Sequence, residues 1–393
     1  MIEPITLFWL TSLFSLLFLL LTSGILLRNR IEFTPLVSET DQPDGKPLIS
    51  ICVPARNEEK NIERVLSTIC KQVYPNIELL VLDDFSSDAT TDIIARLKKE
   101  NPAKITSVTP AEKPEGWLGK PWACQQLADH ADGKYLLFLD ADTALYPGMV
   151  QHTLNAFSNH DLDMLTVWPE QELNSFWEKT VVPLIYYALV TLLPVIYVYR
   201  SPRWLPGFLR KQIAPNFAAA CGQCIGFTKK AYNAIGGHRS VKDEVVEDVA
   251  LSKRAKILGL TIRMFTGVYS ISCRMYRSEL EIFNGLRKNF FAGFNRSLPL
   301  FILMGLIHLI VFVLPFFILP YSIYIESPSL FFVSVGSVTL ILLHRFILAV
   351  WFRWNPLYGF IHPLGVLWFQ RLGLYSIIDH VLGRKVVWKD RKV

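Results

Sequence analysis

The chain has no Gly-x-Gly-x-x-Gly stretch and no Gly-x-x-x-x-Gly-Lys-Ser/Thr loop, which sets aside the ordinary dinucleotide and P-loop phosphate cradles. Cysteine is scarce: six residues in 393, at positions 52, 70, 124, 221, 224 and 273. Only Cys221-Gly-Gln-Cys224 has CxxC spacing, and no second pair completes a four-cysteine zinc site. Reduced thiols packed inside a cytosolic domain are the expectation. No RNA- or DNA-binding motif appears, and the net charge is only +6. The basic residues gather beside apolar segments, a pattern that suits anionic lipid head groups and gives no nucleic-acid partner. Charge itself is sparse, 19% of residues against 51% hydrophobic, and mean hydropathy is +0.30. That is too apolar for an ordinary soluble protein. The first apolar stretch does not read as a cleavable leader. Ile5–Leu27 is an uncharged apolar stretch preceded only by Glu3 and followed by Arg28 and Arg30, the reverse of a signal peptide. Residues 1–30 read as an uncleaved transmembrane anchor, and the positive-inside rule places the chain beyond it in the cytosol.

Two further apolar stretches, Leu298–Ile325 and Leu330–Trp351, are joined by Glu326-Ser-Pro-Ser with no Lys or Arg. Arg287, Lys288 and Arg296 precede the pair and Arg353 follows it. Residues 298–352 therefore read as a transmembrane hairpin whose tip faces outside. His344 and Arg345 fall within its second arm, where an ionisable residue is functional by default, with snorkelling the alternative. Leu357–Phe369 is short and contains Pro363, so residues 353–393 read as a re-entrant or interfacial segment with a basic cytosolic tail. Val181–Tyr199 is interrupted by Pro183 and Pro194 and reads as an interfacial hairpin. Over residues 276–297, Leu280, Phe283, Leu286, Phe290 and Phe294 form an apolar stripe beside Arg287 and Lys288, the pattern of an amphipathic helix at a membrane surface. The sum is a multi-pass membrane protein with its catalytic domain facing the cytosol.

Between anchor and hairpin, residues 47–275 alternate strand and helix patterns. Leu48–Pro54, Ile77–Leu82, Ile105–Val108 and Tyr135–Leu139 read as strands. Ile62, Val65, Leu66 and Ile69 give the i, i+3, i+4, i+7 signature of a helix. The spacing of the strands is that of βαβ units, so the expectation is an α/β domain with a mainly parallel, Rossmann-like sheet. Polar residues gather at the strands' carboxyl ends: Pro54-Ala55-Arg-Asn57-Glu58 after the first, Asp83-Asp84-Phe-Ser86-Ser87-Asp88 after the second, Asp140-Ala-Asp142 after the fourth. In an open α/β sheet that edge binds ligands. Two carboxylates one residue apart suit a hard divalent cation that carries phosphate oxygens. The bland alternative is helix capping, since acids and small polar residues favour helix starts.

In this order, these motifs resemble family 2 glycosyltransferases with the GT-A fold. The resemblance spans about residues 48–290 and narrows toward membrane-bound carotenoid and hopanoid-associated glycosyltransferases. It implies that Pro54, Ala55, Asn57, Glu58, Asp83, Asp84, Lys120 and Asp140 serve the nucleotide-sugar donor. One of Asp83 and Asp84 contacts the base, with Asp84 favoured, and Phe85 stands where glycine is commoner. Asp140-Ala-Asp142 matches the DxD motif, so Asp140 and Asp142 hold Mg²⁺ or Mn²⁺. Glu247-Asp248 matches the ED motif, with Asp248 the general base. Lys120, in the loop Glu115-Gly-Trp-Leu-Gly119-Lys120-Pro-Trp122, is a candidate diphosphate contact. Gly222 and Gln223 are placed on the acceptor side, as are Arg274 and Arg277, which match a Q/R-x-x-R-W motif except that Ser278 replaces its tryptophan. That departure disfavours polymer synthesis. The implied activity is inverting transfer of one sugar, from a donor such as a UDP-hexose, to a membrane lipid. The alternatives are a polyprenyl-phosphate glycosyltransferase and a catalytically inert membrane scaffold with a degenerate nucleotide-binding domain.

Overall fold

A computed structural model describes residues 4–37, 45–294, 297–384, 387–388 and 391–392. Arg296, one of the basic residues ahead of the hairpin, and part of the basic tail beyond Arg384 lie outside the described residues. In chain order the elements begin with α1 (Pro4–Glu32), β1 (Ile49–Ala55), α2 (Ile62–Cys70), β2 (Ile77–Asp83), α3 (Thr90–Glu100) and β3 (Ile105–Val108). Next come α4 (Gly119–His130), β4 (Tyr135–Leu139), β5 (Thr143–Leu145), α5 (Met149–Asn159), β6 (Met164–Gln171) and α6 (Phe176–Leu192). Then follow α7 (Ile196–Tyr199), α8 (Gly207–Ile213), β7 (Cys224–Thr228), α9 (Lys229–Ala234), α10 (Glu247–Ile257) and β8 (Ile262–Cys273). The series closes with α11 (Glu279–Phe290), α12 (Leu298–Phe312), α13 (Leu314–Tyr324), α14 (Pro328–Trp351) and α15 (His362–Val381). Two compact units result. An α/β unit comprises Glu32–Glu172 and Val195–Met275; a helical unit comprises Met1–Ile31, Leu173–Pro194 and Tyr276–Val393.

The α/β unit is built on one eight-stranded sheet of order β3-β2-β1-β4-β7-β6-β8-β5. Its first half forms as the apolar runs require: β1 and β4 are almost wholly buried, because parallel strands are covered on both faces. Side chains such as Ile51, Val53 and Leu137 are completely enclosed, each contributing about 1.5–3 kcal/mol. Helix α2 buries Ile62, Val65, Leu66 and Ile69, the four positions expected from periodicity. Strands β1, β2, β3 and β4 are parallel, with Ala55 opposite Asp83 and Cys52 opposite Phe138, so their carboxyl ends share one edge.

Beyond β4 the sheet turns mixed, yet six of its eight strands point the same way, as the expected mainly parallel sheet requires. Strand β7 runs antiparallel to both β4 and β6, β8 is parallel to β6, and β5 is antiparallel to β8. This reversal matters for the site. It sets Cys224, the first residue of β7, against Leu139, the last of β4. It also sets Thr143 against Cys273.

In the helical unit, α1 and α14 run side by side in the same direction. A Cβ on Gly336 would lie 3.3 Å from Leu16, Ser23 Oγ is 2.7 Å from His344 Nε2, and the Arg30 guanidinium sits 5.0 Å from the Trp351 ring. By length and composition α1 (from Ile5) and α14 can each cross a membrane, and α12 with α13 make a third candidate if that bent pair is one span. The stretch expected as the first arm of the hairpin, Leu298–Ile325, consists of two helices meeting at 43°. Pro315 stands in the first turn of α13, and it cannot donate a helical hydrogen bond to the preceding turn.

Two readings are corrected by proline position. Pro183 does not interrupt the stretch Val181–Tyr199: α6 runs through it to Leu192, started by the Ser175 hydroxyl accepting from the Glu178 amide, and α7 begins only after Pro194. Pro363 does not break a short segment; it occupies the first turn of the 20-residue α15, where its missing amide costs nothing. The expected helix at residues 276–297 appears as α11, started by the Ser278 hydroxyl accepting from the Glu281 amide. Its Phe283 is buried against Trp368 and Tyr375 of α15, while Leu280 is exposed.

Candidate active site

The carboxyl edge of β1 and β2 is an interlocked pair of turns. Asn57 adopts φ 51° and Phe85 φ 57°, both in the left-handed region that usually favours glycine. The Asn57 amide donates to Ser86 Oγ at 2.9 Å, and Asn57 Oδ1 accepts from the Ser87 amide at 2.8 Å. The Glu58 amide donates to Thr90 Oγ1 at 2.7 Å, and the Glu59 amide to Asp88 Oδ2 at 3.1 Å. Asp83 accepts from the Ser86 amide and from the hydroxyls of Ser86 and Thr91. Asp84 is buried, and its amide donates to the Ala55 carbonyl at 2.8 Å. Asp88 also accepts from the Thr90 amide and hydroxyl; burial pushes its carboxyl up, but these hydrogen bonds prevail and hold it below the usual carboxylate range.

A different arrangement occupies the end of β4. Because β7 begins beside Leu139, the turn Cys221–Cys224 lies next to Asp140, whose amide donates to the Gln223 carbonyl at 3.1 Å. The turn is closed by the Cys224 amide on the Cys221 carbonyl at 3.1 Å and tied down by the Cys221 amide on Thr166 Oγ1 at 2.8 Å. Both thiols are free and buried, and burial pushes both up. The CxxC spacing therefore serves a turn. Gln223 accepts from Gln171 Nε2 at 3.0 Å and donates to Cys273 Sγ at 3.0 Å. Through the β5–β8 pairing, the Arg274 amide donates to the Asp142 carbonyl at 3.2 Å.

Lys120, in the first turn of α4, reaches into this corner. Its Nζ lies 2.7 Å from Asp140 Oδ1 and 3.1 Å from Glu247 Oε1. Burial alone would lower the ammonium, but Asp140 and Glu247 more than reverse that and hold it well above its usual value. Asp248 opens α10 beside Glu247. It accepts from the Gly222 amide at 2.7 Å through Oδ2 and from the Val249 amide at 2.8 Å through Oδ1. Despite these bonds its carboxyl is pushed up to about 7, first by burial and then by the adjacent Glu247, with Lys120 opposing. A carboxyl poised there can take a proton at neutral pH. Gly222 is required by closeness: a Cβ would sit 3.1 Å from Lys120 Nζ and 3.2 Å from Asp248 Oδ2.

Pro54, Lys120, Asp140, Gly222, Glu247 and Asp248 line one small recess. Asp140, Lys120, Gly222, Gln223, Glu247, Asp248, Asp142 and Arg274 are thus joined by direct contacts or neighbouring backbone. Asn57, Glu58, Asp83 and Asp84 form the separate β1–β2 turn network. Arg277 belongs to the helical unit, its amide donating to Glu281 Oε2 at 2.8 Å. Cys124, to which no motif points, also lines the recess, as does His238 of the Gly236-Gly237-His238 stretch that precedes the ED motif and is expected on the acceptor side. His238 accepts or donates at Tyr232 OH across 2.7 Å and packs edge-on to Phe138. Burial and then Lys120 lower its imidazole to about 3, so it stays neutral.

Residues 50–236 match the family model described as glycosyl transferase family 2. This segment is a family 2 glycosyltransferase domain. Among curated proteins, it is 25% identical to the 4,4'-diaponeurosporenoate glycosyltransferase of Staphylococcus haemolyticus (strain JCSC1435), across 79% of this chain and 78% of that one. The enzyme of the same name from Staphylococcus aureus (strain USA300) is 27% identical, across 64% and 63%. Among solved structures, a mannosyltransferase from Pyrobaculum calidifontis, in complex with GDP-Man and Mn²⁺, superposes with a TM-score of 0.51 at 15% identity, covering 95% of this chain and all of that one. This last likeness is one of fold, and the fold is GT-A. The matched family segment ends before Glu247 and Asp248, so their place in this glycosyltransferase rests on the contacts described for the recess.

Proposed function

We propose that this glycosyltransferase moves a single sugar from a nucleotide-sugar donor, a UDP-hexose by preference, to a lipid acceptor, inverting the anomeric centre. The observation that carries the reading is Asp248: a carboxyl raised to about 7 beside Glu247, facing the same recess as Lys120 and Asp140. With an acceptor hydroxyl in that recess, Asp248 takes its proton. The oxygen attacks the anomeric carbon from the face opposite the diphosphate, the carbon–oxygen bond to the diphosphate breaks, and the nucleoside diphosphate leaves. One displacement gives inversion. Lys120 would pair with the departing diphosphate, and Pro54, Ala55, Asn57, Glu58 and Asp84 would line the nucleotide side. Gly222, Gln223 and Arg274 would border the acceptor, with Arg277 a further candidate.

The carboxylates suit a divalent cation. Among the described residues no group of three His, Cys, Asp or Glu could enclose an ion, whereas Mg²⁺ is ordinarily held by one or two carboxylates together with substrate phosphates. Asp140 and Asp142 would hold Mg²⁺ or Mn²⁺, which when bound supplies Lewis-acid stabilisation of the leaving diphosphate. A lipid acceptor is supported by the apolar helices α1 and α14 and by relatives named for a carotenoid acid. The same helices, with Arg28, Arg30 and Arg353 at or beyond their carboxyl ends, support a multi-pass protein with the α/β unit in the cytosol.

Purified protein with Mn²⁺ and a panel of nucleotide sugars should slowly hydrolyse one donor. Mass spectrometry of lipids from cells with and without the protein should then show that sugar added once to one lipid. Inactivity toward every donor would sink the proposal in favour of an inert scaffold; a sugar found on a polyprenyl phosphate would redirect it to that acceptor.

A further inference from the structure

The helical unit contains a buried polar cluster that sugar transfer does not use. Arg345 of α14 is 5% exposed, and its Nε and Nη1 meet no hydrogen-bond partner. Its Cβ packs close to the backbone at Gly359, where an added Cβ would lie only 3.2 Å away, so the side chain has little freedom to swing out. His362, the first residue of α15, is 2% exposed, and neither of its ring nitrogens has a partner. Its ring lies 5.3 Å from that of Tyr187 and 5.5 Å from that of Phe312. The neighbouring histidines are, by contrast, fully occupied or tethered. His344 is bonded by Ser23 at 2.7 Å and by Tyr187 OH at 2.9 Å, and His308 by Gln370 at 3.2 Å.

A guanidinium stays charged in proteins, and an uncompensated buried charge is costly. The described acids of this unit are engaged elsewhere or exposed: buried Glu178 accepts from the Asn174 amide, Glu281 accepts from the Arg277 amide, and Glu326 is exposed. Asp379 is paired with Arg287, and Glu279 with Arg371 and Trp368; none of the ion pairs among the described residues includes Arg345. Water would satisfy hydrogen bonds but would leave the charge. The two residues share neighbours: Tyr187 packs on His362 and bonds His344, the residue before Arg345, while Gly359, three residues before His362, packs on Arg345. What fits both the fork of Nε and Nη1 and an imidazole N–H is one anion with several acceptor oxygens. Arg345 lies about two turns from the carboxyl end of α14, and α1 ends on the same side with Arg28 and Arg30. That is the depth at which a lipid phosphate can be drawn in below the head-group layer.

We propose that Arg345 and His362 form a phosphate-binding site within the helical unit, taking the head group of an anionic phospholipid or free phosphate. The site does not depend on the donor chemistry of the α/β unit. Its test uses the full chain in dodecyl maltoside, a detergent without phosphate, with thermal unfolding and native mass spectrometry as readouts. Phosphatidylglycerol mixed into the micelle, or inorganic phosphate in the buffer, should raise the unfolding midpoint saturably, or a phosphate-bearing mass should be retained at one per chain. A response to the lipid alone assigns a head group, and one to inorganic phosphate assigns the free ion. Arg345→Gln should weaken this binding by about tenfold or more. Should that variant fail to fold, Arg345→Lys, which keeps the charge but loses the fork, and His362→Gln should each weaken it severalfold. Neither stabilisation nor a retained phosphate in the wild type, or equal responses in wild type and variants, would overturn the proposal.

Discussion

Two acids at the same sheet edge, Asp88 and Asp248, each stand at the start of a helix, and they behave in opposite ways. Asp88 is surrounded by donors from its own turn and from the partner loop, and its carboxyl is held low. Asp248 also accepts two backbone amides, yet burial and Glu247 push it up to about 7. The lesson concerns what a helix-start acid is for. Where hydrogen bonds outweigh desolvation, the charge stabilises the fold; where desolvation and a like charge outweigh the hydrogen bonds, the site retains basicity that chemistry can use. The β1–β2 turns are of the first kind, and the β4–β7–α10 corner is of the second.

The largest test of this contrast is Asp248→Asn. With a hydroxyl acceptor, kcat should fall by about 10²–10⁴-fold, while donor binding followed by calorimetry is retained. Stability should move the other way. A carboxyl whose folded pKa is raised favours the fold while protonated, below its unfolded value near 4, and loses that contribution as pH rises through about 7. Removing the ionisable group should therefore stabilise the protein near pH 8 by on the order of 1 kcal/mol, read as a higher unfolding midpoint. For the wild type, kcat/KM should rise with pH through about 7, because the deprotonated pair is the active form. If the acceptor is a carboxylate, already without its proton, the loss of kcat shrinks, and the same variant reports the acceptor's chemistry.

Lys120→Met comes next. The ammonium opposes the upward shift of Asp248 and neutralises Asp140 and Glu247. Its loss should move the acidic limb of the kcat/KM profile to higher pH and weaken nucleoside diphosphate binding by about tenfold. An unmoved limb would show that Lys120 does not face Asp248 in the working enzyme. The counterpart on the structural side is Asp88→Ala, which should cost about 1 kcal/mol in denaturant unfolding and leave kcat within about twofold of wild type. Since the folded pKa of Asp88 is depressed, its contribution is present above the unfolded value and is lost as pH falls through the folded one. Its cost should accordingly vanish in acid.

Much of this is legible in the sequence where one face or one edge decides the outcome. The buried runs of β1, β2 and β4, the four apolar positions of α2 and the order of the acidic clusters all follow from local pattern. The reversal of β7 does not, because no local signal tells an antiparallel return from another βαβ step, and that reversal is what brings Gly222 and Gln223 to Asp140. Helix α15 escapes a sequence reading for a different reason. Its polar residues Gln370, Arg371 and Asp379 look like interruptions, but each has a partner in His308, Glu279 and Arg287 respectively. Asp248 is named as the base by the resemblance of Glu247-Asp248 to the ED motif, but its contact with the Gly222 amide, 26 residues away, is legible only in the fold.

The smallest effect, and the cleanest probe of the β1–β2 side, is Phe85→Gly. Phe85 holds φ 57° with a ring that is 51% exposed, so truncation removes little buried apolar surface. Relief of the left-handed backbone, about 1 kcal/mol or somewhat more, is offset by the greater chain entropy that glycine loses on folding, about 0.5–1 kcal/mol. The bonds from Arg56 to the Asp84 and Phe85 carbonyls are to backbone and survive the change. Stability should thus shift by less than about 0.5 kcal/mol, so a change in donor KM can be attributed to the ring. A KM raised severalfold at unchanged kcat would make Phe85 a surface for the nucleotide. An unchanged KM would make the whole β1–β2 turn network, Asp83 and Asp88 included, a structural clamp, and would leave donor recognition to the Lys120–Asp140 corner.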